Sequence, residues 1–312
     1  MRLGLLTIIS MIFVGASVQA QQIIFTPQWS VQSQFAGYYV AQEMGFYEEE
    51  GVDVIIEHSS TSDVALNRLL NGRSNAITML LFDAVCQVGQ GVDVVNVLQT
   101  SQRSGHAIVV RDDSIQSVED LQDRRVGIWC SNFNQLPEIM NADYGLNIEW
   151  ITFIQSINLY ISGAIDATLA MTYNEVYWIS ASGFEDKKVI MLEDIGYDYP
   201  DEGLYVSREY YEKYPDKARA FAKASRRGWE WAHQYPEQTL DIVMAVMERE
   251  HIPASRKHQE WMLNEVLRLQ CAKGESQPSF ELDAEKVESL SRLLMRQGRI
   301  EKAVSVKQLR GK

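Results

Sequence analysis

Aromatic, amide and carboxylate side chains are grouped at three places in the chain. The candidate ligand-binding residues are Trp29, Gln34, Tyr38, Trp129, Asn132, Phe133, Tyr173, Asn174, Glu175 and Trp178. Aromatic rings stack on flat ligands, and a carboxylate accepts strong hydrogen bonds from amino groups. A buried carboxylate such as Glu175 is costly unless it is paired. These residue types together favour binding of a flat, nitrogen-rich heterocycle.

Several of these residues also have a purely structural interpretation. Trp29, Trp129 and Tyr38 are equally compatible with positions in a hydrophobic core. An anionic ligand would favour arginine, lysine or the N terminus of a helix instead. Arg103 is the main cation near the candidate residues, and a surface position is its simpler interpretation.

Motifs for catalysis or metal binding are missing from the sequence. There is no G-x-S-x-G, H-E-x-x-H, P-loop or G-x-G-x-x-G pattern, and the five histidines are scattered. We therefore expect no catalytic residues, no metal and no cofactor. Cys86, Cys130 and Cys271 leave at least one free thiol. Three buried free thiols and a Cys86–Cys130 disulfide are both compatible with the sequence, because the spacing of cysteines along the chain does not show whether two of them have the geometry of a disulfide.

Short β-rich runs alternate with helical patterns from Ile23 onward, which is typical of an α/β fold with mainly parallel sheets. The strands predicted before the candidate residues are 23–25, 125–129 and 167–171, which end at or just before Trp29, Trp129 and Tyr173. Open α/β sheets bind ligands at the carboxyl ends of their strands. The sequence thus predicts one crevice that the three groups share.

The remaining strands and helices are predicted from the periodicity of apolar residues and from turn-forming residues. Further strands are predicted at 52–57, 76–81, 94–98, 106–111, 147–153 and 188–192. We predict helices over 34–49, from Ser62 or Asp63 to Leu70, and from Asp83 to Val88, and a capping box of Ser117 with Asp120. Beyond Arg208, helices are separated by Tyr214-Pro215, Tyr235-Pro236 and Ile252-Pro253.

Two polar or glycine-containing stretches between strands predict crossings between two lobes, near Thr100–Gly105 and Tyr197–Gly203. Two lobes joined by a hinge can close around a ligand and bury it. We expect lobe 1 to hold residues 21–103 with 204–312, and lobe 2 to hold residues 104–203.

The N terminus resembles an export signal. Arg2 precedes the apolar run Leu3–Val14, and Val18-x-Ala20 provides a small-residue cleavage site. The run is short for a membrane span, which needs about 20 residues, although an uncleaved anchor is the alternative. We expect a periplasmic protein whose signal peptide, residues 1–20, is cleaved after Ala20.

The charge of the chain argues against nucleic-acid partners. Its formal charge is −13, with 29 basic and 42 acidic residues, and loss of Arg2 with the signal leaves about −14. Such a surface repels nucleic acid and anionic lipid. We expect a soluble monomer that binds a small molecule.

Three stretches resemble the start of the NMT1/THI5-like group of periplasmic binding proteins: Thr26-Pro27-Gln28-Trp29, Gln34–Ala41 and Gly45–Val54. Further similarities are Ser59-Ser60, 118–126, Gly163-x-x-Asp166-Ala167, 171–175 and Gly228-Trp229. The resemblance implies a type II periplasmic binding protein fold over nearly the whole mature chain. The group includes receptors for sulfonates, nitrate and thiamine pyrimidine precursors, and a pyrimidine synthase of thiamine biosynthesis.

Tyr173-Asn174-Glu175-x-x-Trp178 is similar to a segment of receptors for formylaminopyrimidine, a salvaged thiamine precursor. The resemblance implies capture of such a pyrimidine for import by an ABC permease of the inner membrane. The alternatives are a receptor for a sulfonate or nitrate, and a sensory binding protein that docks on a signalling ectodomain.

The synthase branch of the group carries pyridoxal phosphate on a lysine with a histidine nearby. By similarity to its strand-to-helix segment, Met79 stands at the lysine position and Asp83 at the histidine position. Without the lysine amine no Schiff base forms. We therefore expect a receptor and no enzyme, and we add Phe82 and Asp83 to the candidate ligand-binding residues.

Overall fold

The computed structural model describes residues 22–60, 62–129, 135–153 and 156–311. The predicted signal peptide, the candidates Asn132 and Phe133, and Cys130 lie outside these residues. The strands are β1 Ile23–Thr26, β2 Val54–Ile56, β3 Ala76–Leu80, β4 Val94–Leu98, β5 His106–Val110, β6 Arg125–Trp129, β7 Glu149–Phe153, β8 Ala167–Met171, β9 Val189–Met191 and β10 Glu202–Ser207.

Helices surround these strands and dominate the C-terminal third of the chain. They are α1 Ala36–Glu43, α2 Phe46–Glu49, α3 Ala65–Leu70, α4 Leu81–Gly89, α5 Gln135–Asp143, α6 Asn158–Ile161, α7 Glu175–Ile179, α8 Arg208–Lys213, α9 Pro215–Gln234, α10 Pro236–Arg249, α11 Arg256–Leu269, α12 Ala284–Arg296 and α13 Val306–Leu309. Short 3₁₀ or π turns lie at Ser33–Phe35, Glu119–Leu121, Ser180–Phe184 and Leu192–Ile195.

The strands form two five-stranded sheets, with orders β2-β1-β3-β10-β4 and β7-β6-β8-β5-β9. We call the parts built on them lobe 1 and lobe 2. The pairings β1 with β2 and β3, and β6 with β7 and β8, are parallel. The strands β10 and β5 are antiparallel to both of their neighbours. Four of the five strands in each sheet therefore run in one direction, as mainly parallel sheets require.

The reversed strands are a feature that the alternating pattern did not predict, and they have a common cause. The strands β5 and β10 each receive the chain directly from the other lobe. Glu202 at the start of β10 pairs with Leu80 at the end of β3, and His106 at the start of β5 pairs with Met171 at the end of β8. The chain thus enters each sheet at its carboxyl edge and must run away from it. The two carboxyl edges therefore face each other.

Most predicted strands agree with the structure, and the strands 94–98, 125–129 and 167–171 agree to the residue. Proline opens α9 and α10, as expected from its fixed φ and missing N–H. The predicted helix 34–49 is wrong as one helix. It divides into a 3₁₀ turn, α1 and α2, because Gly45 adopts the left-handed φ of 74° between α1 and α2.

Two predicted helix caps are also wrong. Val64, and not Ser62 or Asp63, precedes α3, since the Asp63 carboxylate instead forms ion pairs with Arg68 and Arg73. Of the capping box predicted for Ser117 and Asp120, only the hydrogen bond to the Asp120 side chain forms. The Asp120 carboxylate accepts a hydrogen bond from the backbone N–H of Ser117 at 2.9 Å, but the Ser117 hydroxyl also donates to Asp120 and does not cap the turn.

No helix within the described residues combines the length and the apolar character that a membrane span requires. Cys86 and Cys271 are buried free thiols. Burial raises the pKa of both thiols, so neither has the character of a reactive thiolate.

The closest helix packing in lobe 1 depends on two glycines. A Cβ on Gly228 of α9 would lie 2.0 Å from the carbonyl oxygen of Gly37 in α1, and a Cβ on Gly37 would lie 2.2 Å from the Trp229 ring. Trp229 is buried, and its ring meets Tyr38 edge-on at 5.6 Å. The two helices therefore touch backbone to backbone and fix the first part of lobe 1 against the C-terminal helices.

Replacement of Gly228 by alanine should lower the free energy of unfolding by about 2 to 3 kcal/mol. The new methyl group has no room beside the Gly37 carbonyl, and this overpacking outweighs the better helix propensity of alanine. Thermal and urea unfolding followed by circular dichroism measure the change. Gln234→Ala, at an exposed position of the same helix, is the control and should be nearly neutral. Equal stability of both variants would disprove the close packing.

Candidate functional site

The facing carboxyl edges of the two sheets form a cleft whose lining is rich in carboxyl groups. Lobe 1 contributes Asp83 at the start of α4, and Asp201 and Glu202 where the chain enters β10. Lobe 2 contributes Glu175 at the start of α7. Asp201, Glu202 and Glu175 are buried, and Asp83 is partly buried.

Glu175 is surrounded by donors from its own lobe. Its Oε1 accepts hydrogen bonds from Trp129 Nε1 at 3.2 Å and from Asn174 Nδ2 at 3.0 Å. Its Oε2 accepts the backbone N–H of Met171 at 2.8 Å. Burial raises the pKa of Glu175, and these hydrogen bonds oppose the rise. This carboxylate therefore ties the end of β8 to Trp129, which gives it a positioning role.

Trp129, at the end of β6, is held on three sides. Its N–H donates to Glu175, and its ring lies 6.1 Å from the His106 ring, nearly perpendicular to it, and 6.0 Å from the Phe153 ring. His106 opens β5, so this contact joins two strand ends of the same sheet. Trp129 is buried within this arrangement.

Glu202 occupies the corresponding place in lobe 1. Its Oε1 accepts hydrogen bonds from Gln28 Nε2 at 3.0 Å and from Gln34 Nε2 at 3.2 Å. Its backbone carbonyl accepts from Gln99 Nε2 and Thr100 Oγ1, both at 2.8 Å. Burial raises the pKa of Glu202 to about 8, and the neighbouring Asp201 adds to the rise. At neutral pH a large share of this buried group is protonated.

Trp29 follows Gln28 and is partly buried. Its carbonyl accepts a hydrogen bond from His58 Nδ1 at 2.5 Å, and His58 Nε2 lies 2.9 Å from the Tyr39 hydroxyl. Because a carbonyl only accepts, His58 carries its proton on Nδ1 and accepts from Tyr39. Burial lowers the pKa of His58 to about 4, which keeps the ring neutral. The loop that carries Trp29 is therefore anchored to α1.

Asp201 and Asp83 both lie near His106. Asp201 accepts hydrogen bonds from His106 Nδ1 at 3.1 Å and from the Gly105 N–H at 2.7 Å, which ties the two crossings together. Asp83 Oδ1 accepts a hydrogen bond from Gln135 Nε2 of lobe 2 at 3.1 Å. Burial raises the pKa of Asp83 to about 7, and the charge of His106 opposes the rise.

A small cavity separates the lobes at this point. Its lining residues are Leu80, Phe82, Asp83, His106, Leu136, Tyr199, Pro200 and Asp201. It has room for about one water molecule. A heterocycle at this place would therefore require the lobes to separate further than they do in this closed arrangement.

Tyr173 is buried among the acids of both lobes. Burial raises the pKa of its hydroxyl, and Asp201, Glu202 and Glu175 each add to the rise. The structure thus brings Tyr173 of lobe 2 close to the strand start of β10 in lobe 1.

Trp178 lies in an aromatic cluster with Tyr177 of α7 and with His258 and Trp261 of α11. The Trp178 ring is 4.6 Å from His258, and Tyr177 is 5.9 Å from Trp261. Trp261 Nε1 donates a hydrogen bond to the Thr172 carbonyl at 2.8 Å. Since α7 belongs to lobe 2 and α11 packs on lobe 1, this cluster joins the lobes. Trp178 is 40% exposed at its edge.

The family model described as NMT1/THI5 like matches residues 32–239. The chain belongs to the NMT1/THI5-like family. This finding confirms the resemblance carried by the N-terminal stretches, and the two-lobed α/β architecture agrees with it.

Curated relatives of this family member are mainly binding proteins. It is 24% identical to the riboflavin-binding protein RibY of Chloroflexus aurantiacus, over 73% of this chain and 67% of that protein. It is also 24% identical to the formylaminopyrimidine-binding protein of Halalkalibacterium halodurans, over 73% of this chain and 72% of that protein. A third relative at 24% identity is the 4-amino-5-hydroxymethyl-2-methylpyrimidine phosphate synthase of Schizosaccharomyces pombe, over 66% of this chain and 64% of that protein.

Among solved structures, the periplasmic aliphatic sulphonate binding protein SsuA of Escherichia coli superimposes with a TM-score of 0.64 at 15% identity. The match covers 93% of this chain and 92% of that chain. At this identity the similarity shows the fold alone, which is the fold of periplasmic binding proteins.

The sequence-predicted site residues of this family member divide into three sets. Trp29, Gln34, Phe82, Asp83, Trp129, Tyr173, Asn174 and Glu175 lie at the facing strand ends. Tyr38 is fully buried and packs between Phe25 and Trp229, which is a core position. Trp178 lies in the aromatic cluster, and Asn132 and Phe133 are outside the described residues.

The simpler interpretation of Arg103 as a surface residue is wrong. Its guanidinium forms a two-point ion pair with Glu193, whose side chain is 6% exposed, and the Nε–Oε2 distance is 2.9 Å. Arg103 lies in the first crossing and Glu193 lies in the 3₁₀ turn Leu192–Ile195 shortly before the second, so the pair joins the chain on either side of the hinge region. The positive charge of Arg103 is therefore neutralised by Glu193.

Sequence reasoning missed Gln28, His106, Asp201 and Glu202. The pair Asp201-Glu202 directly precedes an apolar strand, and His106 starts another, at the crossings that the sequence did predict. The sequence pattern does not show in which direction these two strands run within their sheets. Once β5 and β10 are known to start at the carboxyl edges, their first residues must line the cleft.

Replacement of Glu175 by glutamine should lower the free energy of unfolding by about 1 to 3 kcal/mol. The amide has one acceptor oxygen, whereas three donors now converge on the carboxylate, so at least one buried donor loses its partner. Chemical unfolding measures the loss, and near-ultraviolet circular dichroism follows the Trp129 ring. Glu185→Gln, at an exposed position of the same lobe, is the control. Unchanged stability and unchanged spectrum would contradict the positioning role.

Proposed function

We propose that this protein captures a small, nitrogen-rich heterocycle in the cleft between its lobes, with a thiamine pyrimidine precursor such as formylaminopyrimidine as the ligand. In this proposal the protein is a periplasmic monomer whose signal peptide is cleaved after Ala20. It delivers its ligand to an ABC permease of the inner membrane.

The observation that carries the proposal is the carboxyl-rich lining of the cleft. Asp83, Glu175, Asp201 and Glu202 surround the strand ends, and Arg103 at the crossings is already paired with Glu193. Carboxyl groups and glutamine side chains accept hydrogen bonds from ring amino groups. The relative that binds formylaminopyrimidine supports the same ligand class.

The rings at the strand ends supply the second element of the proposal. Trp29 and Tyr173 border the cleft from opposite lobes and offer flat surfaces to a heterocycle. A sulfonate or nitrate would meet buried acids instead of cations, which opposes its binding. The ligand of the relative RibY is also a flat nitrogen heterocycle, so riboflavin is the second candidate.

Binding without catalysis is the other half of the proposal. Met79, which stands where the synthase branch has its lysine by similarity, is a buried residue of β3 that pairs with Gly203. A thioether cannot form the Schiff base that holds pyridoxal phosphate. Relatives named as binding proteins support this half, and the synthase relative marks the enzyme alternative.

Isothermal titration calorimetry of the mature protein should detect binding of formylaminopyrimidine or of 4-amino-5-hydroxymethyl-2-methylpyrimidine. Riboflavin, taurine and nitrate complete the panel. We expect a pyrimidine to bind, and we expect Trp29→Ala to weaken it by about tenfold through loss of stacking. Trp231→Ala, on the partly buried face of α9, is the control and should leave the affinity unchanged. Heat with an anion but with no pyrimidine would refute the ligand class.

Absorbance spectroscopy separates receptor from synthase. The purified protein, incubated with pyridoxal phosphate and then desalted, should retain no aldimine absorbance, because Met79 offers no amine. Met79→Lys is an informative comparison, although the buried ammonium will reduce stability. An aldimine band in the wild-type protein, removed by borohydride and mapped to one lysine, would overturn the non-enzymatic assignment.

A further inference from the structure

Asp83 differs from the other acids of the cleft in its partners. It belongs to α4 of lobe 1, and the hydrogen bond to it comes from Gln135 of α5 in lobe 2. It also lines the small cavity between the lobes, opposite His106 and Leu136. The environment of this carboxyl group is therefore completed only when the two lobes meet.

Several ionisable groups face Asp83. His106 lies at the start of β5, Asp201 and Tyr199 lie in the crossing before β10, Cys86 lies one turn along α4, and Tyr205 lies on β10. His106 is the group of opposite charge when it is protonated, but its Nδ1 is bound to Asp201. Within the described parts of the chain, the hydrogen-bond donor to Asp83 is the neutral amide of Gln135. No lysine or arginine pairs with this carboxylate there.

Closure therefore has an electrostatic cost at this position. An ionised carboxyl group that loses water and gains one neutral donor is destabilised, and a proton or a neighbouring positive charge removes the cost. The other acids have more donors, and those donors belong to the same lobe or to the crossings. Glu175 has three donors, Glu202 has two glutamine amides, and Asp201 has His106 and the Gly105 N–H. The pKa of Glu202 is raised to about 8, but both of its amides belong to lobe 1, so they stay with it when the lobes separate.

We propose that Asp83 makes closure of the cleft depend on a further proton at this position, carried either by the carboxyl group itself or by an amino or protonated ring nitrogen of the ligand that donates a hydrogen bond to it. In this account Asp83 is a specificity-determining residue. It admits ligands with an N–H group at this point and opposes closure around ligands that present an acceptor or an anion. The inference rests on the proposed role of the cleft as the ligand site, but its test requires no ligand.

The direction of the pH dependence follows from the two states. In the open form Asp83 is in water and has the ordinary aspartate pKa of about 3.9. In the closed form its pKa is about 7. Closure thus takes up a proton between these values, so lowering the pH through this window favours the closed form. Above pH 7 the cost of the buried charge is fully present.

Small-angle X-ray scattering of the ligand-free, full mature protein measures closure directly, because a closed cleft has a smaller radius of gyration. Between pH 8 and pH 5.5 the closed-to-open ratio of the wild-type protein should rise by about tenfold or more. Asp83→Asn is neutral at both pH values and still accepts from Gln135, so it should be compact at both. Asp186→Asn, at an exposed position of lobe 2, is the control and should behave like the wild type.

A second variant keeps the test informative if Asp83→Asn folds poorly. Gln135→Ala removes the donor that stabilises the ionised carboxylate in the closed form, so it should lower the closed-to-open ratio at pH 8 more than at pH 5.5 and make the pH response steeper. A wild-type radius that does not change with pH would overturn the inference. A normal pH response in Asp83→Asn would also overturn it and would assign the effect to another group, such as Glu202, whose pKa is raised to about 8. Neither result would bear on whether pyrimidines bind, which the calorimetric panel decides separately.

Discussion

The site depends on one topological constraint, which is the reversed direction of β5 and β10. Each of these strands enters its sheet from the other lobe and starts at the carboxyl edge, opposite Met171 and Leu80 respectively. As a result the two carboxyl edges face each other, and the first residues of the reversed strands lie between the lobes. His106 and Glu202 are in the cleft for this reason, and Asp201 bridges the two crossings beside them.

Carboxyl groups that are buried at these edges need hydrogen-bond donors or a proton to offset the loss of water, and the two lobes supply these donors differently. Glu175 and Asp201 receive donors from the backbone and from neighbouring rings, and Glu202 receives two glutamine amides. The raised pKa values of Glu202, at about 8, and Asp83, at about 7, indicate that the donors around these two carboxyl groups do not fully offset their burial. A ligand that donates hydrogen bonds would supply the remaining donors.

Sequence patterns predicted the α/β alternation, the strand ends and the helical C-terminal part, because these follow from local periodicity and from proline. They also placed Trp129, Tyr173 and Glu175 at strand ends correctly. They did not show that Glu175 accepts a hydrogen bond from Trp129, because that contact joins residues 46 positions apart. Glu202 and His106 were missed because strand direction is a tertiary property. The core position of Tyr38 depends on the close approach of α1 and α9, which no local pattern reveals.

A crystal structure of the mature protein grown with formylaminopyrimidine tests most directly whether the cleft binds a pyrimidine. We expect electron density for the pyrimidine ring between the facing strand ends, with an amino group within hydrogen-bonding distance of Asp83 or Glu202. We also expect the lobes to lie further apart at the small cavity than they do without the ligand. An anion bound in the cleft, or a pyrimidine bound outside it, would contradict the assignment of this cleft as a pyrimidine site.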